Sequence, residues 1–412
     1  MMPLRSLAAR KRPFLLVPAL KASLAAACLI AALPAQAFDT SARAAYIADL
    51  TTGTVLLNKD ADTPLPPASM SKLMTLYVAF EAIRDGRLSL DEELPVSQHA
   101  MSYGGSSMFL NTTDMVRVDD LLRGIIVLSG NDACAVIAEA LSPDGTEAGF
   151  AQYMTQRAQQ LGMTNSTFAN SNGWPAPTQR MSVRDLALIA THIIQDFPEF
   201  YPLFAETEFP FDNRTPSNRL NRNPLLGLGI GADGLKTGHT EEAGYGLVGS
   251  ATQGDRRVVF VLSGLESNSA RAEQSRAVVN WAFRQFKEAN LLPAGDIVAR
   301  APVFRGSADD VGLTVTEDLV TLVPFLSRDG IASEVVFDGP IRAPVAAGQE
   351  VGTLILRPEG LPERSVPLVA AQAVPDGGFM AKVQAAATYL MRRVNKGPAD
   401  VAPDDAQPAA TS

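Results

Sequence analysis

Strand-like segments stand at both ends of a long helical stretch, and this order limits the possible folds more than any other feature of the chain. Ala44 to Leu50 and Thr54 to Asn58 read as short strands joined through Thr51-Thr52-Gly53, a hairpin by its turn residue. From Ser69 to Asp85 the apolar residues Leu73, Leu76, Tyr77, Phe80 and Ile83 recur at helical spacing, and Gly86 supplies a stop. Further helices are expected at Val118 to Leu128, Asp132 to Leu141, Glu147 to Leu161 and Val183 to Ile194. Strands return at Tyr245 to Ala251 and Arg257 to Leu262, and a helix from Arg271 to Phe286 closes the segment. The expectation is a mixed α+β domain with terminal strands around central helices.

A chain of 412 residues with 46% apolar content exceeds one ordinary domain, so two are expected. After Leu292 the pattern changes to short β-rich runs broken by Gly and Pro: Ile297 to Phe304, Leu313 to Val323, Glu334 to Phe337, Val351 to Leu356 and Ser365 to Ala370. These read as a small all-β domain. Near the end Phe379, Val383, Ala386, Leu390 and Val394 share one helical face, with Lys382, Arg392, Arg393 and Lys396 around it. That pattern fits an interfacial amphipathic helix on a membrane surface, the alternative being a capping helix on the β domain. The expected division is a signal segment at 1–37, the mixed α+β domain at 38–292, a β-rich domain at 293–375, the amphipathic helix at 376–396 and a disordered tail at 397–412.

The signal reading rests on Arg5, Arg10, Lys11, Arg12 and Lys21, the absence of acids, an apolar run from Leu24 to Leu33, and Ala35-Gln36-Ala37 as a cleavage site. The apolar run is about half the length a membrane span needs. Export is therefore expected, and where the cell is bacterial with two membranes the compartment is the periplasm, with peripheral attachment to the outer face of the inner membrane through the last helix. Beyond the signal only Cys134 remains, so no internal disulfide is available; it is expected to lie buried in a helix. Loss of the five signal cations takes the formal charge from −9 to −14, which argues against nucleic acid as a partner.

Three short motifs carry chemistry. Ser69-Met70-Ser71-Lys72 puts a lysine on the same helical face as a serine, where it can take the hydroxyl proton and make a nucleophile. Alone, this pattern also reads as a capped helix start. Only six lysines follow the signal, and two of them are Lys72 and the Lys236 of Lys236-Thr237-Gly238. Between these lies Ser129-Gly130-Asn131, which by itself also fits a plain helix cap. Metal chemistry has little to work with, because His99, His192 and His239 are far apart and no H-E-x-x-H pattern occurs. No Walker loop and no G-x-G-x-x-G opening a helix appears either, so no nucleotide cofactor is implied.

In this order the three motifs are those of active-site serine penicillin-binding proteins and serine β-lactamases. The segments Pro66 to Thr75, Arg123 to Cys134, Leu220 to Asn223, Gly234 to Thr240 and Ala243 to Tyr245 resemble the low-molecular-mass, serine-type D-alanyl-D-alanine carboxypeptidases. The resemblance implies a transpeptidase/β-lactamase-like catalytic domain acting on peptidoglycan stem peptides that end in D-Ala-D-Ala, with covalent binding of β-lactam antibiotics. It assigns Ser69 as nucleophile, Lys72 as general base and Ser129 as proton relay. It gives Asn131 the substrate amide, and Lys236 and Thr237 the terminal carboxylate, assisted by Arg257 and Arg222. It implies that Gly238 admits the substrate backbone and that the backbone N–H groups of Ser69 and His239 face the oxyanion. A D,D-endopeptidase and a β-lactamase would use the same residues, although no E-x-x-L-N pattern of class A β-lactamases occurs. Tyr103 to Ser107 is expected as a loop beside the cleft or as an ordinary surface loop.

Overall fold

The computed structural model describes residues 38–214, 217–325 and 331–378, together with Val383. The signal segment, the tail and most of the amphipathic helix read from the sequence lie outside these residues. A hairpin of β1 (Ala44–Asp49) and β2 (Thr54–Lys59) opens the fold, turning at Gly53 with φ of 66°. One 3-10 turn, Ala68–Ser71, leads into α1 (Lys72–Arg84), which is buried from Lys72 to Ala82 as an apolar helix at the centre of a domain should be. A small flap follows, built from β3 (Glu93–Pro95), α2 (Gln98–Met101) and β4 (Met115–Arg117). The helical stretch continues with α3 (Val118–Arg123), α4 (Asn131–Leu141), α5 (Glu147–Gln160) and α6 (Val183–Asp196). The chain then returns through β5 (Ala232–Thr240), β6 (Gly244–Gln253), β7 (Arg256–Leu265) and α7 (Asn268–Arg284).

The strands from the two ends of this domain meet in one antiparallel sheet of order β2-β1-β7-β6-β5, so β5 forms an edge. Alternation along β7 decides what each face buries. Val259 and Val261 pack into the helical cluster of α1, α4 and α6, while Val258, Phe260 and Leu262 pack against Val278, Val279 and Ala282 of α7. Each such side chain contributes about 1.5–3 kcal/mol of transfer free energy, enough to fix the register of a strand buried on both faces.

Beyond α7 come β8 (Phe286–Leu292), β9 (Ala299–Phe304), β10 (Asp310–Thr314), β11 (Leu319–Pro324), β12 (Ala332–Val336), β13 (Ile341–Arg342), β14 (Glu350–Arg357) and β15 (Arg364–Ala370). Six of them form a second sheet, β12-β14-β15-β10-β9-β13, around Val311, Leu313, Leu354 and Leu368, the all-β unit expected from the sequence. Three elements differ from the sequence reading. The helix read from Val118 to Leu128 breaks after Arg123 into a π turn, Gly124–Leu128. The run Leu313 to Val323 is two strands in different sheets, because Glu317 and Asp318 interrupt its apolar pattern. The last helix stops at Arg284, and Phe286 begins β8, which pairs with β11. Residues 286–292 are thus bonded to the segment that follows them.

Candidate active site

The nucleophile turn owes its position to two close backbone approaches. Gly173, at φ of 83°, has no Cβ, and one placed there would sit 1.9 Å from the Ala68 carbonyl oxygen. A Cβ on Gly238 of β5 would lie 3.0 Å from both Pro67 O and Met70 Cγ. The two glycines therefore let the 170–174 loop and the sheet edge close on Ala68–Ser71 from two sides. Residues three apart in a 3-10 turn eclipse one another, and Lys72 is the cap residue of this one. Its Nζ accordingly stands 3.0 Å from Ser69 Oγ.

Lys72 is fully buried, and its ammonium has two other fixed acceptors, Asn131 Oδ1 at 2.7 Å and the Asn172 carbonyl at 2.6 Å. Two of its N–H bonds are thereby directed away, and the remaining position faces Ser69. A neutral amine held this way aims its lone pair at the serine hydroxyl, which is the geometry a general base requires. Burial pushes the Lys72 pKa down to about 8, and the nearby Arg222 adds to the effect. The Asn131 amide is held by Gly104 O, which accepts from Nδ2 at 2.8 Å. Asn131 can take this place because α4 starts there.

Ser129 reaches the same space by an unusual backbone. It ends the π turn with φ of 62° and ψ of 33°, a left-handed conformation that costs a non-glycine residue about 1–2 kcal/mol. Its hydroxyl accepts from Lys236 Nζ at 2.9 Å, and Lys236 in turn donates to the carbonyl of Thr237 at 3.2 Å. Burial first, and then Lys72 and Arg222, hold the Lys236 pKa well below that of a solvated lysine. The three motifs thus meet along one side of a cleft of about 430 Å³ that Ser69, Ser129, Thr237, Gly238 and His239 help to line.

Two arginines also line the cleft. Arg222 donates to Ser106 Oγ at 2.6 Å and to Asn218 Oδ1 at 3.1 Å, and Arg271 donates to Asn268 Oδ1 at 2.6 Å. Neither guanidinium has a carboxylate within ion-pair distance among the described residues. Arg271 lies 5.6 Å over the ring of Tyr245, whose other neighbour is the His239 imidazole, stacked at 3.8 Å. Burial lowers the pKa of both arginines, a sign that an anion arriving here would be received by poorly solvated cations.

A family profile described as D-alanyl-D-alanine carboxypeptidase matches residues 31–266, and one described as penicillin-binding protein 5, C-terminal domain, matches residues 286–376. The chain belongs to the D-alanyl-D-alanine carboxypeptidase family. D-alanyl-D-alanine carboxypeptidase DacC of Escherichia coli (strain K12) is 36% identical over 357 residues, which cover 84% of this chain and 88% of that protein. DacF of Bacillus subtilis (strain 168) is 31% identical over 347 residues, covering 82% and 87%. Penicillin binding protein 5 from Haemophilus influenzae superposes with a TM-score of 0.70 at 32% identity, over 82% of this chain and 99% of that one. Penicillin-binding protein D2 from Listeria monocytogenes, solved in an ampicillin-bound form, gives a TM-score of 0.54 at 30% identity, over 59% and 98%. The fold is therefore the transpeptidase-like one of these carboxypeptidases with the β-rich domain appended.

One residue is placed elsewhere than the sequence implied. Arg257 does not reach the cleft. It sits on β7 with Asp233 at 2.8 Å, Tyr201 OH at 3.2 Å and Ser250 Oγ at 2.7 Å, so its charge is already compensated. Gly238 lines the cleft, and the absence of its side chain also lets the nucleophile turn close on β5. Arg271 and Asn268 line the cleft without having been singled out, beside Tyr245 and Ser106, which lie in segments the sequence had marked. A signal for Arg271 did exist: it occupies the first turn of α7, where the helix dipole disfavours a cation. The Tyr103 to Ser107 loop forms part of the cleft wall, pinned by Asn131 N–H donating to Ser106 O at 2.8 Å as well as by the Asn131 amide. Cys134 is buried in α4, as its setting predicted.

Proposed function

We propose that this serine-type D-alanyl-D-alanine carboxypeptidase acts through Ser69, with Lys72 as general base and Lys236, Thr237, Arg222 and Arg271 as receivers of the substrate's terminal carboxylate. The observation that carries the reading is the buried lysine amine 3.0 Å from Ser69 Oγ, facing a cleft whose arginines have no carboxylate partner among the described residues. Lys72 takes the Ser69 proton as Oγ bonds to the carbonyl carbon of the penultimate D-alanine. Ser129, hydrogen-bonded to Lys236, passes a proton to the departing nitrogen as the C–N bond breaks and D-alanine leaves. The edge position of β5 turns alternate backbone groups off the sheet, and the N–H groups of Ser69 and His239 would stabilise the oxyanion. Water then cleaves the ester, with Lys72 again holding the proton, and Asn131 positions the acyl amide. A β-lactam would enter by the same attack and leave the ring-opened acyl group on Ser69.

The test is intact mass of the purified protein after exposure to a penicillin, beside Ser69→Ala, followed by D-alanine release from a peptide ending in two D-alanines. A lasting adduct on the wild type only, with D-alanine released, supports the reading. Rapid turnover of penicillin without peptide cleavage would point to a β-lactamase, and absence of any adduct would overturn the assignment of Ser69.

The location of this chemistry is also proposed: outside the cytoplasmic membrane, with the 1–37 segment directing export and the 376–396 segment resting on the membrane surface. No helix among the described residues is long and apolar enough to cross a membrane. Cosedimentation with anionic vesicles that is lost on truncation after Asp376 would support surface attachment; cosedimentation unchanged by the truncation would refute it.

A further inference from the structure

Glu147 opens α5 directly after its cap residue Thr146, where the helix dipole favours a carboxylate, yet it turns inward and is only 7% exposed. It accepts from the backbone N–H and the hydroxyl of Ser171 at 2.9 and 2.5 Å, from Asn172 Nδ2 at 3.4 Å, from Tyr103 OH at 2.6 Å and from His99 Nε2 at 2.6 Å. A cap needs none of this. The five donors come from two segments that flank Lys72. Ser171 and Asn172 belong to the loop whose Asn172 carbonyl accepts from Lys72. His99 and Tyr103 belong to α2 and the residues after it, which continue into Gly104, whose carbonyl holds the Asn131 amide, the other acceptor of Lys72. Both groups that aim the Lys72 amine at Ser69 therefore trace back, by one or two links, to a single buried carboxylate.

We propose that Glu147 is the positioning residue for Lys72: it locks the 171–172 backbone and the 99–104 segment in register, so that Asn172 O and Asn131 Oδ1 leave the amine only one free direction. The proposal rests on the reading of Lys72 as the base. Burial alone would raise the Glu147 pKa, but the hydrogen bonds from Ser171, Tyr103 and His99 outweigh it and hold the carboxyl below its ordinary range. It is thus ionised at neutral pH, and its charge has a second effect. Lys72 faces Cys134 and Asp132 from α4, Lys236 from β5, Arg222 from the loop before β5, and Glu147 from α5; a Cys134 thiolate would favour the charged lysine most, but burial pushes that thiol up to about 12 and keeps it neutral, which leaves Asp132 and Glu147 to help the lysine keep its proton.

The test compares Glu147→Gln, which preserves size and one acceptor, and Glu147→Ala with the wild type, using the full chain. The readouts are kcat and KM for D-alanine release, the pH profile of acylation by a fluorescent penicillin, and the melting temperature. Thr146→Ala serves as control, since it weakens the start of α5 without touching the five hydrogen bonds. Misplacement of the base should lower kcat of Glu147→Gln by about 10²-fold while KM changes by less than about 3-fold. Loss of a nearby negative charge favours the neutral lysine, so the acidic limb of the profile should move to lower pH. Thr146→Ala should lose melting temperature and keep both the rate and the limb. Wild-type kcat and limb in Glu147→Gln would overturn the proposal. So would a loss of kcat that Thr146→Ala reproduces at equal melting temperature, or a failure of both Glu147 variants to melt cooperatively, either of which assigns the residue to folding alone. Full acylation by Lys72→Arg would instead bring down the reading of the base, whatever the Glu147 variants do.

Discussion

The ionisation of Lys72 should be visible directly in a rate. Burial brings its pKa to about 8, and only the neutral amine can take the Ser69 proton. With that midpoint about a tenth of the enzyme holds the neutral form at pH 7 and about nine tenths at pH 9, so acylation should rise about 10-fold between them and then level off. The sign follows from the role: protonation removes the base, so activity is lost as pH falls through the midpoint. Lys72→Arg keeps donors for Asn131 Oδ1 and Asn172 O, but a guanidinium stays charged at every accessible pH. It should therefore abolish the rise and slow acylation by about 10²–10⁴-fold, the usual contribution of a positioned base. The assay is the second-order acylation constant with a fluorescent penicillin from pH 6 to 10, with the melting temperature followed across the same range. Lys236→Arg separates the two lysines, since it preserves the second charge and should leave the rise in place. A flat wild-type profile, or Lys72→Arg acylating at the wild-type rate, would refute the argument.

Replacement of Arg271 by Leu removes a cation from the cleft lining. If that cation pairs with the terminal carboxylate, the loss is about 1.5–3 kcal/mol, or about 10–150-fold in kcat/KM for the peptide, and acylation by penicillin should fall alongside it. Gly173→Ala forces a Cβ to within 1.9 Å of the Ala68 carbonyl oxygen and requires a left-handed backbone, so it should both lower the melting temperature and slow acylation. Away from the cleft, Arg256→Met strands the fully buried Asp49 carboxylate, which Arg256 approaches to 2.9 Å and which also accepts from Thr52. The cost should be about 3–5 kcal/mol in a denaturant titration, with little change in acylation rate for the folded fraction.

What was legible in the sequence was whatever rests on periodicity or on a fixed short spacing. The buried helix α1, the alternation along β6 and β7, and the three motifs all express local rules, and the structure brings Ser69, Lys72, Ser129, Asn131, Lys236 and Thr237 to one place. What was not legible depends on long-range pairing. Strand β8 reads Phe-Lys-Glu-Ala-Asn-Leu-Leu, a composition with little strand preference, and it is a strand only because β11 lies beside it. Arg257 and Arg271 show the same limit within the site. Which arginine lines the cleft and which meets Asp233 is decided by the sheet and by α7, not by anything adjacent in the chain.

The cleft cations and the base are also linked in energy, and this gives a prediction opposite in sign to that for Glu147. Lys72, Lys236, Arg222 and Arg271 share a poorly solvated space, and Arg222 is one of the charges that lower the Lys72 pKa. The group that would recognise a carboxylate therefore also keeps part of the lysine neutral. Arg222→Gln should weaken peptide binding and, because a repelling positive charge is gone, let Lys72 hold its proton more firmly. The acidic limb of the acylation profile should then move to higher pH, whereas Glu147→Gln moves it to lower pH. Measuring both variants against the same penicillin tests the electrostatic account with one observable. If the two shifts have the same sign, the charges around Lys72 do not act on its ionisation in the way their placement requires.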